Sequence, residues 1–151
     1  MNSERVRRQL PIAWLHLAVG VFGILLFLAT GLFMDRRLDH LRGMADAPRA
    51  LYRSAHIYIL FSALLNVTLG GYVRVVRSRP GVILQLAGSF LMVGALALFA
   101  YGFFRETPLG DVERPMVRMG IVWSFWGALL HAIAGYAGHG PGAERDSTSF
   151  E

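Results

Sequence analysis

Apolar residues fill four long stretches of this chain, and the charged residues lie between them. No Asp, Glu, Lys or Arg occurs between Arg8 and Asp35, Arg53 and Arg74, Arg79 and Arg105, or Arg118 and Glu144. These gaps hold 26, 20, 25 and 25 residues, and a helix needs about 20 apolar residues to cross a membrane. The stretches lack the apolar–polar alternation of barrel strands. The pattern therefore predicts an all-α integral membrane protein with four transmembrane helices in an antiparallel bundle.

The charge gaps also predict where each helix begins and ends. We expect helices over residues 10–34, 51–73, 82–104 and 116–138, within a single transmembrane domain of residues 1–140. Residues 141–151 are rich in glycine, serine and charge, a composition typical of a disordered tail. The first link contains "RRLDHLRGM", which spaces Leu38, Leu41 and Met44 three residues apart. This spacing predicts a short amphipathic segment lying on the membrane surface.

The basic charge of the chain fits a membrane protein better than a nucleic-acid-binding protein. The net charge is +5 and all 15 basic residues are arginine, which we interpret as the coding bias of a GC-rich bacterial genome. The arginines flank the predicted helices, where they meet lipid headgroups. Four spans put both termini on one side, and the dense basic start together with the acid-free link "RVVRSRP" favours the cytoplasmic side of a bacterial inner membrane.

Small residues recur along one face of each predicted helix. Helix 3 carries Gly81, Gly88, Ala95 and Gly102 at a seven-residue spacing, and helices 1 and 4 show similar stripes. Membrane helices associate by close packing at such small residues. We therefore expect these stripes to hold the bundle together and to bind a membrane partner or a second copy of the chain.

Two histidines lie at matching depths on these stripes. His16 is about six residues inside the start of helix 1, and His131 is about seven residues inside the end of helix 4. At a rise of about 1.5 Å per residue, both lie roughly 9–11 Å below the same membrane surface. Each has a glycine four residues away, Gly20 or Gly127. The sequence therefore predicts that the two imidazoles face each other.

Paired histidines in a four-helix membrane bundle suggest a cofactor site. Two imidazoles can hold the iron of a b-type haem, with Gly20 and Gly127 admitting the porphyrin and Gln85 hydrogen-bonding one ligand. In architecture alone, the arrangement resembles the small membrane-anchored cytochromes b. A quinone-linked electron-transfer role and simple hydrogen bonding between helices are the alternatives. His56, near the opposite surface, lacks a histidine at its own depth, and we interpret it as structural.

Other kinds of chemistry find little support in the sequence. The chain has no cysteine, which excludes thiolate metal sites and thiol redox chemistry. No Asp or Glu lies inside a span, which argues against a proton-coupled transporter. No phosphate-binding, nucleophile-elbow or zinc-protease motif occurs. We therefore expect a non-catalytic accessory membrane protein, with the haem or quinone-linked protein as the alternative.

Overall fold

Four long helices make up the bundle, as the charge gaps predicted. The computed structural model describes residues 3–72, 76, 78–109 and 113–137, and within these it contains helices and no strand. The helices are α1 (Ser3–Arg37), α2 (Asp46–Tyr72), α3 (Arg79–Tyr101) and α4 (Pro115–Ala137). Each is long and apolar enough to cross a membrane. The all-α, four-helix architecture is therefore confirmed.

The helix bounds agree with the prediction except at the start of the first two helices. α1 begins at Ser3 instead of residue 10, and α2 begins at Asp46 instead of residue 51. The apolar pattern marks where a helix enters the membrane, but polar residues continue it beyond that point. In α1 the charge-free stretch begins only after Arg8. The predicted tail, residues 141–151, lies outside the described residues.

Two helical hairpins form the bundle, and glycines bring their backbones together. α1 packs along α2 and α3 packs along α4, while α3 also lies against α2 and α1. A Cβ added to Gly20 would lie 2.6 Å from the backbone nitrogen of Val67 on α2. One added to Gly127 would lie 3.0 Å from the carbonyl oxygen of Gly88 on α3. The small-residue stripes of the sequence therefore bring the two helices of each hairpin into close contact.

The link between α1 and α2 folds back onto the bundle. A short turn covers Asp39–Leu41, where three consecutive residues have positive φ angles of 45°, 55° and 62°. Leu41 is only 4% exposed and belongs to the apolar core, against which Leu38 and Met44 also pack. The location of this segment on the membrane surface stays a prediction. The three-residue spacing is real, but its apolar side covers the end of the bundle.

The link between α3 and α4 is fixed by a buried carboxylate. α3 continues through a π-helical turn, Gly102–Glu106, into a short 3₁₀ turn, Thr107–Leu109. The carboxylate of Glu106 accepts hydrogen bonds from the backbone nitrogens of Met116 (2.8 Å) and Val117 (3.2 Å). It therefore caps the first turn of α4, where free N–H groups and the helix dipole favour a negative charge.

Candidate functional site

Each helix contributes one polar side chain to a buried cluster near the membrane surface where α1 enters. The members are His16 from α1, Asn66 from α2, Ser89 from α3 and His131 from α4, and none is more than 7% exposed. We call these four residues the polar cluster. The rings of His16 and His131 meet edge to face, with centroids 5.3 Å apart and planes at 75°. The structure thus brings together the pair that the matching depths predicted.

A continuous chain of hydrogen bonds joins the four residues. Nδ1 of His16 lies 2.8 Å from Oδ1 of Asn66, and Nε2 of His16 lies 2.9 Å from the hydroxyl of Ser89. The same hydroxyl lies 3.3 Å from Nε2 of His131. The amide nitrogen of Asn66 donates to the carbonyl oxygen of Ser62 at 2.9 Å. All four helices are therefore tied together at this depth.

The direction of each bond follows from the donors and acceptors available. Because the amide nitrogen of Asn66 is turned towards a backbone carbonyl, its oxygen accepts from Nδ1–H of His16. A neutral imidazole donates through one nitrogen and accepts through the other, so Ser89 donates its hydroxyl proton to Nε2 of His16. The Ser89 oxygen then accepts from Nε2–H of His131. This leaves Nδ1 of His131 as a bare acceptor.

Three buried side-chain atoms in the described part of the chain have no hydrogen-bond partner. They are Nδ1 of His131, Oγ of Ser124 and Oγ of Ser62. A buried acceptor or donor without a partner costs about 1–3 kcal/mol. Two of these atoms, those of His131 and Ser124, belong to residues that line one groove, which is described below. They mark where a bound molecule would gain most from a hydrogen bond.

The polar cluster does not fit a haem. Axial nitrogens must face each other across the porphyrin, but the Ser89 hydroxyl lies between Nε2 of His16 and Nε2 of His131, within 3.3 Å of both. The two rings are in edge contact, which leaves no slot for a flat macrocycle. The paired histidines act here as hydrogen-bonding groups between helices.

Gly20, Gly127 and Gln85, which were predicted to contact a cofactor, make contacts within the protein instead. Gly20 packs on α2 and Gly127 packs on α3, so neither faces open space. The side-chain oxygen of Gln85 accepts a hydrogen bond from the backbone nitrogen of Val76 at 3.1 Å, which links the start of α3 to the preceding segment. Gln85 is nevertheless close to His131, since both line the same cavity.

His56 forms a separate contact between α1 and α2, far from the polar cluster. Its Nδ1 lies 2.9 Å from the hydroxyl of Thr30, and its ring stacks on Phe27 with centroids 4.0 Å apart. A Cβ on Gly31 would lie 3.3 Å from Cε1 of the ring, so this glycine makes room for the imidazole. These contacts agree with a structural role for His56.

An apolar groove runs between α2 and α4, which pack much less closely than the helices within each hairpin. We call it the α2–α4 groove and divide it into two cavities. The His131 cavity, about 390 Å³, is lined by Leu65, Thr68, Tyr72, Gln85, His131 and Gly135 among others. The Ser124 cavity, about 770 Å³, is lined by Ile57, Phe61, Leu65, Phe99, Ser124 and Leu129 among others. Ala128 and Ala132 line both, so the two cavities are continuous.

Sequence reasoning missed Ser89, the residue whose hydroxyl joins the two histidines. A single serine in a membrane helix carries no pattern, because its hydroxyl can always bond its own backbone. The available signal was the neighbouring Gly88, whose missing side chain leaves space for His131: a Cβ there would lie 2.9 Å from Cδ2 of the imidazole.

Comparison of the chain with protein-family models, curated proteins and solved structures finds no match to any of them.

Proposed function

We propose that this protein is a non-catalytic accessory protein of a bacterial cytoplasmic membrane, with both termini in the cytoplasm, and that it binds a lipid-soluble amphiphile in the α2–α4 groove. The molecule enters sideways from the bilayer. Its polar head lies in the His131 cavity and its apolar tail in the Ser124 cavity. The observation that carries the proposal is the change in polarity along the groove.

The polarity of the groove follows the depth in the membrane. The His131 cavity lies near the end of α2 and the start of α3, and its walls include Thr68, Tyr72, Gln85 and His131. The Ser124 cavity extends away from that surface, and Tyr58 and Ser124 are the polar residues in its walls. A lipid-soluble amphiphile has the same arrangement, with a polar head near the surface and a tail towards the middle. Both cavities have volumes in the range of about 300–1,000 Å³ that is typical of ligand sites.

The use of the glycine stripes favours a small molecule over a partner helix. A partner helix would need a stripe of small residues that its own backbone can approach. Gly20, Gly70, Gly88 and Gly127 are already filled by atoms of this chain. The groove has small residues on its α4 wall, namely Ala128, Ala132 and Gly135, but its Ser124 cavity is lined by large apolar side chains such as Phe61 and Phe125. We therefore assign the groove to an amphiphile and treat a partner helix as the competing outcome.

Photolabelling tests the proposal directly. The purified protein in lipid vesicles is irradiated with a long-chain alcohol that carries a diazirine in its tail, and the labelled residues are identified by mass spectrometry. We expect the label on the groove residues of α2 and α4. Ala128→Phe should reduce this labelling several-fold, because Ala128 lines both cavities. Ile83→Phe is the matched control, since Ile83 is 65% exposed on α3 and does not line the groove.

Three results would contradict the proposal. The first is labelling spread over every lipid-facing surface and unchanged by Ala128→Phe. The second is a cysteine at Leu129 that crosslinks in cells to another protein or a second copy and is protected from the probe. The third is a haem absorption spectrum in the purified protein that is lost in both His16→Ala and His131→Ala.

A further inference from the structure

We infer that the head of the bound amphiphile is a hydroxyl group that donates a hydrogen bond to Nδ1 of His131. The inference rests on the proposed function, because it names the chemical class of the molecule in the α2–α4 groove. The expected ligand is a long-chain or isoprenoid alcohol, or a phenol with an apolar tail. A head that can only accept hydrogen bonds, such as an ether or ketone, would lack the decisive contact.

The hydrogen-bond chain of the polar cluster makes Nδ1 of His131 an acceptor. The side-chain oxygen of Asn66 accepts a hydrogen bond from Nδ1–H of His16. Nε2 of His16 therefore carries a lone pair and accepts a hydrogen bond from the hydroxyl of Ser89. The Ser89 oxygen can then only accept from Nε2–H of His131. In a neutral ring the remaining nitrogen carries a lone pair. The orientation of one amide on α2 thus determines, through three bonds, what the far side of His131 can bind.

The edge of the imidazole that carries Nδ1 is turned away from α3. Nε2 faces Ser89, and Cδ2 lies 2.9 Å from the position of a Cβ on Gly88. Nδ1 is on the opposite side of the ring from Cδ2, and His131 is among the residues that line the His131 cavity. Nδ1 is itself shielded from water and has no partner within the described residues. The inferred hydroxyl would therefore approach His131 from this edge of the ring.

A pair of probes that differ in one hydrogen bond tests this inference. Farnesol and farnesyl methyl ether have the same tail, but only farnesol can donate. Both compete against the photoprobe for the groove of the full-length protein in vesicles. The ether oxygen can still accept from Thr68 or Tyr72, so the comparison isolates donation to His131. We expect farnesol to compete about threefold to tenfold more strongly, the effect of one net hydrogen bond.

The outcomes separate this inference from the proposed function. If neither probe competes in the groove, the proposed function fails. If both compete equally, the groove binds amphiphiles and the hydroxyl inference is overturned. His131→Phe should keep the cavity apolar and remove the preference for farnesol, whereas Thr68→Val on the same cavity wall should retain it.

A second measurement checks the inference without any variant of the groove. Nitrogen-15 NMR of histidine-labelled protein distinguishes a protonated ring nitrogen from a bare one. We expect His16 protonated at Nδ1 and His131 protonated at Nε2. Protonation of His131 at Nδ1 would overturn the inference, because that nitrogen would then be a donor and would select a carbonyl or ether head.

Discussion

Asn66 is the residue that orients the polar cluster. Its amide nitrogen bonds the carbonyl oxygen of Ser62 within α2, and its oxygen accepts from His16 on α1. Asn66→Ala removes these two contacts and a third, from the amide nitrogen to the carbonyl oxygen of Met92 on α3 (3.4 Å). It also leaves Nδ1–H of His16 buried without an acceptor. We expect it to destabilise the protein by about 1–3 kcal/mol, the cost of a buried group without a partner.

Thermal unfolding in mild detergent measures this loss. Thr68→Val is a suitable control, because it removes a polar group from the same helix outside the cluster. We expect it to unfold close to the wild-type temperature. Equal stability of the Asn66→Ala and Thr68→Val variants would show that the chain of hydrogen bonds does not contribute to folding.

At the scale of residues, the sequence predicted positions better than roles. His16 and His131 could be paired because depth is a matter of counting residues from a charged boundary, and the structure places their rings 5.3 Å apart. Their chemistry depends on what lies between them. The hydroxyl of Ser89 comes from a third helix, 73 positions away from His16 in the chain. No local pattern indicates such a partner, so the sequence could not show that a hydroxyl lies between the two histidines where a haem would have to fit.

Adjacent glycines near the end of α2 show how the helices use small residues. A Cβ on Gly70 would lie 2.7 Å from the backbone nitrogen of Leu17 on α1, whereas one on Gly71 would meet nothing within 4 Å. Backbone atoms cannot move aside as a flexible side chain can. We therefore expect Gly70→Ala to push α1 and α2 apart and to destabilise the protein by about 1–3 kcal/mol, the typical cost of overpacking.

Gly71→Ala is the matched control for this pair. It adds the same methyl group one residue along the same helix, and alanine favours a helix over glycine. We expect its melting temperature in detergent to equal or exceed that of the wild-type protein. A similar loss in both variants would mean that the cost comes from the end of the helix and not from the contact with α1.

At the scale of elements, the charge gaps predicted which segments are helical, and the physics of the bilayer explains why. Backbone N–H and C=O groups in lipid must form hydrogen bonds within the protein, because no water is present. A long apolar stretch without the alternation of a barrel strand therefore forms a helix. Outside the lipid this constraint ends. The sequence therefore did not show that α1 extends back to Ser3 or that the side chain of Leu41 is buried in the core.

At the scale of the whole molecule, hydrogen bonds join the two hairpins near each membrane surface, while the α2–α4 groove separates two of their helices. Arg114, just before α4, donates to the carbonyl oxygen of Leu51 (3.2 Å) and the hydroxyl of Ser54 (3.1 Å) on α2. The polar cluster ties the helices near the opposite membrane surface. Beside these attachments α2 and α4 separate, and the groove runs from Ile57 past the polar cluster to Tyr72, open to the lipid. The groove can therefore hold a bound molecule while the hydrogen bonds of Arg114 and of the polar cluster stay in place.

The orientation of the bundle gives the last prediction, and the absence of cysteine makes it easy to test. If both termini are cytoplasmic, the α1–α2 link is outside and the α2–α3 link is inside. A cysteine at the exposed Arg42 should react with a membrane-impermeant maleimide on intact spheroplasts, and one at the exposed Arg79 only after lysis. The reverse pattern would invert the orientation. Equal labelling of both positions on intact cells would contradict the spanning of α2 itself, since this helix alone separates the two links.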